Sequence, residues 1–405
     1  MKTTNSLNPV ERFLGLFADV RSGEGTTIML LTLNLFIILI AYYIAKVVRE
    51  PLILAGGGAE VKSYSAAGQA VLLLFAVPLY AWLASNFPRR KLINIVTLFF
   101  AGCLVLFYLF SQSKGIGVVF YLWVGIFSLM VIAQFWAFAN DLYSPEAGKR
   151  VFAIVAFGGS FGAVFGSYFA GQLIEPIGIY NLLLVSSGLL GLSLLITNYV
   201  DIRERNIIRH TIKHNTSKTS DKPDDLKTEV LEMGKQGAFK LVWQNQYLLL
   251  IGILLLLLNW VNTTGEYIMG KIVSTEAVAS ATAAGLTGAE LQTAIQEFIG
   301  GFYADFFTIV NFAGVVIQLF LVSRILKFFG VRIAILILPV IAFGGYILMA
   351  FYPILGIIRW AKTAENSTDY SLHNTVRQVL FLPTNREQKY KAKQAIDTFF
   401  VRAGD

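Results

Sequence analysis

The chain has 405 residues, of which 56% are hydrophobic and only 14% charged, with a formal net charge of +8 and a mean hydropathy of +0.63. This excludes a disordered chain and an ordinary soluble domain. The basic excess, with no basic stripe interleaved with aromatics outside the apolar runs, is assigned to loops of a membrane protein and not to a nucleic-acid interface. Cys103 is the single cysteine, so neither an intrachain disulfide nor a cysteine metal site is possible.

The first 26 residues mix both charge signs and lack a signal-peptide pattern, which makes them a tail ahead of a retained first span. Windows of mostly apolar residues long enough to cross a bilayer follow at 27–48, 66–83, 92–110, 118–139, 151–174 and 180–200, a six-helix bundle over 27–200. Residues 201–246 mix Lys, Arg, Asp and Glu and read as a charged central loop on the cytoplasmic side. A second block covers 247–405, with spans at 247–269, 306–326, 331–350 and 354–381. Between its first two spans, 273–300 is rich in Ala, Thr and Gly and reads as an external loop carrying a short helix.

Orientation follows from Lys and Arg in short loops. Arg89-Arg90-Lys91, Lys149-Arg150, the central loop, Arg324 with Lys327 and Arg332, and the run from Arg386 to Lys393 share one side if the N-terminus is cytoplasmic. The opposite loops hold little beyond Lys62, Lys114 and Lys271. The expected fold is an all-α polytopic membrane protein, a major-facilitator-like bundle of about ten transmembrane helices, in which cargo binds near the midplane between two halves. The last two of an expected twelve helices are absent from the sequence, so the chain is expected to be truncated or to pair with another.

Polar residues at membrane depth are costly unless they face a cavity or a partner, so they mark candidate sites. At the end of the first span, Lys46 and Glu50 are four apart and share a helix face, predicting a local pair; Lys46 alone is equally consistent with snorkelling. Arg49 has the forked donor geometry that suits phosphate. The fourth span ends in Trp136, Asn140 and Asp141, either a base-stacking platform or an interfacial aromatic belt. In the fifth, Gly158, Gly159, Gly162, Gly166 and Gly171 suit close helix packing and not a phosphate loop, since neither a preceding strand nor a Gly-Lys-Ser/Thr is present. Glu266 in the seventh span is a proton site, a cation partner or a helix end.

The densest set lies in 360–397: Lys362, Glu365, Asn366, Asp369, Asn374, Arg377 and Gln378, then Leu382-Pro383 and Lys389, Lys391 and Lys393. Glu365 and Asp369 share a face, with Arg377 two turns beyond Asp369. His210 and His214 fall in the central loop and His373 in the tenth span; no catalytic constellation, zinc-ligand set or cofactor motif is present in the sequence.

Four segments resemble the nucleotide transporters of plastids and intracellular bacteria, the ATP/ADP translocases, and their bacterial homologues. They are Arg49-Glu50-Pro51-Leu52-Ile53-Leu54 with Ala55 to Val61; Phe135-Trp136-Ala137-Phe138-Ala139-Asn140-Asp141 through Lys149-Arg150; Asn262-Thr263-Thr264-Gly265-Glu266; and Asp369-Tyr370-Ser371-Leu372 through Leu382-Pro383 to Asp397. The resemblance implies exchange of adenine nucleotides across the membrane without hydrolysis, with functional positions falling on Arg49, Asp141 and Glu266. Arg49 stands where the family usually has lysine, Asp141 where it has glutamate, and Asp369 where it typically has a lysine important for transport. A carboxylate at that place repels polyphosphate unless it is protonated or bridged by a cation.

The expected activity is therefore secondary transport of adenine nucleotides or related phosphorylated anions by alternating access in a bacterial inner membrane. Arg49 and Arg377 would hold phosphate, while Asp141 and Glu266 would couple opening. The alternatives are a facilitator for another solute or cation, coupled to protons through Asp369 and Glu266, and a non-transporting subunit or inactive fragment.

Overall fold

The computed structural model describes residues 8–14, 20–21, 23–111, 113–143, 145–215, 238–381, 383–384, 388, 392–393, 396 and 400–404. Among them every regular element is a helix. After the short α1 (Pro9–Leu14), α2 runs Gly25–Asn86, 62 residues. At ~1.5 Å per residue a straight helix of that length would be about 93 Å, three times the ~30 Å hydrocarbon core, so it must be divided. The division is at Gly58, where φ is 75° and ψ is −178°. That conformation is open to glycine and closed to residues with a Cβ. The two arms match the first and second expected spans.

Next come α3 (Arg89–Leu109), α4 (Ile116–Leu142), α5 (Pro145–Ile177) and α6 (Asn181–Asn215). The central stretch contains α7 (Ala238–Gln244); residues 216–237 lie outside those described, as do the side chains of His210 and His214. Then follow α8 (Gln246–Ala283), whose start is capped by Asn245 accepting from the amides of Tyr247 and Leu248, and α9 (Gly288–Val316). A π turn, Ile317–Leu321, leads into α10 (Val322–Phe351), itself broken at Gly330 with φ 70°. Helix α11 (Leu355–Thr368), a second π turn (Asp369–His373) and α12 (Asn374–Leu380) form the last long rod. Of the expected segment 382–397, Leu382, Arg386, Lys389, Lys391 and Asp397 lie outside the described residues.

Among the described residues seven helical runs are long and apolar enough to cross a membrane; the first spans 56 residues and the last, Gly288–Phe351, 64. The breaks at Gly58 and Gly330 split each of those two into a pair. The polar α11–α12 rod packs beside them, α11 against α8, α9 and α10. One expectation is corrected: 273–300 is not a loop. Helix α8 continues to Ala283 and α9 starts at Gly288, because this segment is Ala-rich and carries no proline.

The core of the helices α2 to α6 is the α2–α5 seam, with α4 and α6 also against α2. The expected glycine packing is present. A Cβ on Gly158 would lie 2.6 Å from the Thr32 carbonyl, one on Gly166 2.8 Å from the Ile40 Cα, and one on Gly162 would collide with the Phe36 carbonyl. Helix α2 also packs on α8 and α9, and α5 on α9. Large apolar side chains such as Phe75, Phe99, Phe343 and Phe351 stay exposed on the outside, as lipid contact requires.

Candidate functional site

The site begins at the end of the first arm of α2 and closes with the start of the second. Glu50 is fully buried and accepts from Arg49 Nε at 2.9 Å, forming an ion pair with that guanidinium. Lys62, past the Gly58 break, places its Nζ 2.7 Å from the other Glu50 oxygen and 3.7 Å from Glu266 Oε2 on α8. The second Glu266 oxygen accepts from Asn366 Nδ2 of α11 at 3.0 Å. One turn earlier, the fully buried Lys362 pairs with Glu365 at 3.0 Å and donates to Asn262 Oδ1 of α8 at 2.9 Å. The result is a charged chain from α2 through α8 to α11. Buried charges are tolerated only when each is matched and hydrogen-bonded, and here each of these carboxylates meets a cation. Toward one end of the same helices, Glu60 pairs with Lys271 at 2.9 Å and accepts from the Tyr267 hydroxyl at 3.0 Å.

Lys46 stands apart from this chain. The predicted local pair with Glu50 is not formed, because Glu50 is engaged by Arg49 and by Lys62. Among the described residues Lys46 has no ion-pair partner; its Nζ lies 4.1 Å from the ring centre of Phe307, 5.1 Å from that of Tyr43 and 5.7 Å from that of Tyr370. Ring faces stabilise a cation without neutralising it. Arg49 is likewise stacked on Tyr121, 4.7 Å from its centre.

These residues surround space. A cavity of about 360 Å³ is lined by Lys46, Arg49, Lys62, Glu266 and Asp369 together with Tyr42, Tyr121 and Tyr370. A second, of about 800 Å³, adjoins it across Tyr42, Lys46 and Tyr370, and is lined further by Trp136, Asn311 and Asn374. Both volumes fall in the roughly 300–1,000 Å³ range of small-molecule sites. A third, of about 100 Å³, shares Asp369 with the first and holds Glu365, His373 and Arg377 in its wall.

Of the residues singled out from sequence, Lys46, Arg49, Glu266 and Asp369 are thus brought together, with Glu50 behind them and Trp136 and Asn374 in the adjoining cavity. Arg377 faces the small chamber and donates to Asn374 Oδ1 at 3.2 Å. Asn140 and Asp141 line none of these spaces. Both are exposed, and Asp141 pairs with Arg89 at 3.3 Å, Arg89 reaching the buried Asp201 at 2.7 Å.

Two contributors escaped the sequence, Lys62 and the bend at Gly58. Lys62, counted there as a loop charge, is a buried partner of two carboxylates. The run Gly56-Gly57-Gly58 marks where the chain can bend, but nothing local says what the bend brings together. Lys362 and Asn366 lay inside the polar stretch already singled out, but their partners on α8 did not show.

Residues 24–364 match the profile of the Major Facilitator Superfamily. Among solved structures the chain is similar to a bacterial homolog of the human lysosomal transporter Spinster, with 14% identity, 98% of this chain and 81% of that chain covered, and a TM-score of 0.55. It is also similar to the nucleoside transporter NupG, with 11% identity, coverage of 92% and 88%, and a TM-score of 0.61. For the POT family transporter PepTSo the values are 11%, 93% and 87%, with a TM-score of 0.54. At such identities the likeness is one of fold. No curated protein sequence matches the chain.

Proposed function

The chain belongs to the Major Facilitator Superfamily and is an integral-membrane secondary transporter, and we propose that its cargo is a phosphorylated anion of the adenine-nucleotide class, exchanged by alternating access. The observation that carries this reading is Lys46. The other cations near the cavity are matched by carboxylates, whereas Lys46 presents its charge to both cavities from a bed of aromatic rings. An anion entering there would supply the missing counter-charge, and a charge-assisted contact of this kind is worth roughly 1.5–3 kcal/mol.

The rings fit the other end of such a cargo. Tyr42 and Tyr370 line both cavities and Trp136 the larger one, offering faces on which a planar base can stack. Arg49 would assist at the phosphate and Arg377 would act from the neighbouring chamber. Glu266 and Asp141 would couple opening, since their pairs with Lys62 and Arg89 join separate helices and can be exchanged as the halves move. In this reading residues 27–200 and 247–405 form the two bundles, 1–26 and 201–246 face the cytoplasm, and the membrane is the bacterial inner membrane.

A thermal-shift comparison of ATP, adenosine and inorganic phosphate tests it. ATP is expected to stabilise the parent protein, with affinity for Lys46→Met lower by about tenfold to a hundredfold. Equal stabilisation of parent and Lys46→Met by ATP would remove Lys46 from the role. Indifference of the parent to all three would remove the cargo class. Uptake of labelled ATP into proteoliposomes, compared with Arg49→Ala, then tests transport itself.

A further inference from the structure

The chamber of about 100 Å³ beside the main cavity takes its polar wall largely from one stripe of the last rod: Glu365, Asp369, His373 and Arg377. The π turn Asp369–His373 lies at the centre of that stripe, and such wide turns recur at functional sites. Across the chamber stand two amides of α8. Asn259 is held by donating from Nδ2 to the Val401 carbonyl at 2.6 Å, and Asn262 by accepting at Oδ1 from Lys362 at 2.9 Å. Asp369, Asn259 and Asn262 also line the main cavity and are common to both spaces.

The charges around the main cavity cancel: Lys46, Arg49 and Lys62 stand against Glu266, Asp369 and the Glu50 behind them. Within that balance Glu50 and Glu266 are ion-paired, whereas Asp369 has no ion-pair partner among the described residues. A polyphosphate drawn to Lys46 would meet this uncompensated carboxylate in the same space, and like charges so confined repel. His373 supplies a second, separate observation. It is 4% exposed, lines the chamber, and neither ring nitrogen has a protein hydrogen-bond partner. Buried polar atoms are seldom left so without a purpose. The chamber exceeds the roughly 10–15 Å³ that one water molecule needs, and a neutral imidazole can accept from one water and donate to another.

We propose that the cargo is bound as its divalent-cation complex, an ion of the Mg²⁺ type that rides on the phosphates and takes Asp369 as its protein ligand. Mg²⁺ keeps several of its waters and is usually held by one or two carboxylates together with substrate phosphates, not by an all-protein cage. Asp369 is one such carboxylate. Among the described residues no three His, Cys, Asp or Glu side chains gather to hold an ion, so the remaining oxygens come from the cargo and from water. The ion turns repulsion at Asp369 into attraction, while phosphate oxygens on the other side of the cargo meet Lys46. Waters on the ion extend into the chamber, where His373 accepts from one of them and Asn259 and Asn262 border their path. This inference rests on the nucleotide reading above and names the form in which that cargo is recognised.

Calorimetric titration of the purified full chain with ATP in excess EDTA, and with ATP in excess Mg²⁺, tests the proposal. The parent is expected to bind Mg-ATP about tenfold more tightly than free ATP, and Asp369→Asn to bind the two about equally. Asp369→Glu should keep the preference. His373→Phe should lower it several-fold, and His373→Gln, whose amide oxygen still accepts from a water, should retain it. Electron paramagnetic resonance of bound Mn-ATP reads the ligand itself: aspartate labelled at its carboxylate with a magnetic carbon isotope is expected to couple to the ion in the parent and not in Asp369→Asn. Equal affinity of the parent for free and Mg-bound ATP overturns the proposal and leaves the nucleotide reading standing. An undiminished preference in Asp369→Asn or in His373→Phe overturns it as well. Binding of neither form by the parent defeats the nucleotide reading, and the proposal with it.

Discussion

Lys62 Nζ lies 2.7 Å from Glu50 Oε2, although twelve residues separate the two within α2. Along a straight helix that interval is about 18 Å, beyond the reach of both side chains. The contact exists because Gly58, at φ 75°, bends the chain between them. A backbone conformation and a buried ion pair therefore depend on each other here, and through the contact of Lys62 with Glu266 the same bend joins α2 to α8.

Replacing Gly58 by alanine is expected to destabilise the protein by about 1–3 kcal/mol, since a Cβ is strained at this φ and ψ. Relief of the strain would straighten α2 and part Lys62 from Glu50. Thermal melting in detergent gives the first effect, and a distance between spin labels placed on either arm of α2 gives the second. A melting temperature equal to that of the parent would show that the bend is not required.

Glu50→Gln leaves the buried Arg49 and Lys62 without their shared carboxylate, and a loss of roughly 3–5 kcal/mol is expected. Adding Lys62→Met to Glu50→Gln removes one of the stranded cations, so the double variant should melt higher than Glu50→Gln alone. If the two losses simply add, the contact is not energetically coupled.

Gly162→Leu drives a side chain into the backbone of the first arm of α2 at Phe36. Overpacking of this kind costs about 1–3 kcal/mol. Gly102→Leu is the control: a Cβ there meets no atom within 4 Å, and the residue is exposed. The former should lower the melting temperature by several degrees while the latter leaves it nearly unchanged.

Ahead of the membrane, Glu11 accepts from the amides of Asn8 at 2.8 Å and Gly23 at 2.6 Å. These bonds to the charged carboxylate hold its pKa below the ordinary carboxylate range, the Asn8 amide contributing most. A depressed folded pKa stabilises the folded arrangement above the unfolded pKa, and that contribution fades as pH falls through the folded value. Amide exchange at Gly23 should accordingly speed up in acid, once corrected for intrinsic exchange, and lose this acid dependence in Glu11→Gln.

Several features were legible in the chain alone. Apolar runs of bilayer length fixed the positions of the helices, because lipid leaves the backbone no other way to satisfy its hydrogen bonds. The glycines from Gly158 to Gly166 announced a close seam by their spacing. The polar residues between Lys362 and Arg377 marked a candidate site, since charge at that depth is costly without a cavity or partner. Where the reading went astray, the cause was long-range. Lys46 and Glu50 share a face by periodicity, yet Glu50 turned to partners brought by the Gly58 bend. Residues 273–300 looked like a loop because their composition is that of a weakly apolar surface, which a helix running past the bilayer also presents.

The sequence by itself thus determined that this is a helical membrane carrier with ionisable groups in its interior, because burial in lipid acts on each segment independently of the others. Only the tertiary structure decided which charges cancel and which do not. Lys62 became a buried partner of Glu50 and Glu266, while Lys46 and Asp369 kept their charges facing one cavity. The reason is physical: ion pairing acts over a few ångströms, and which groups come that close is set by the bend of α2 and its packing on α8 and α11.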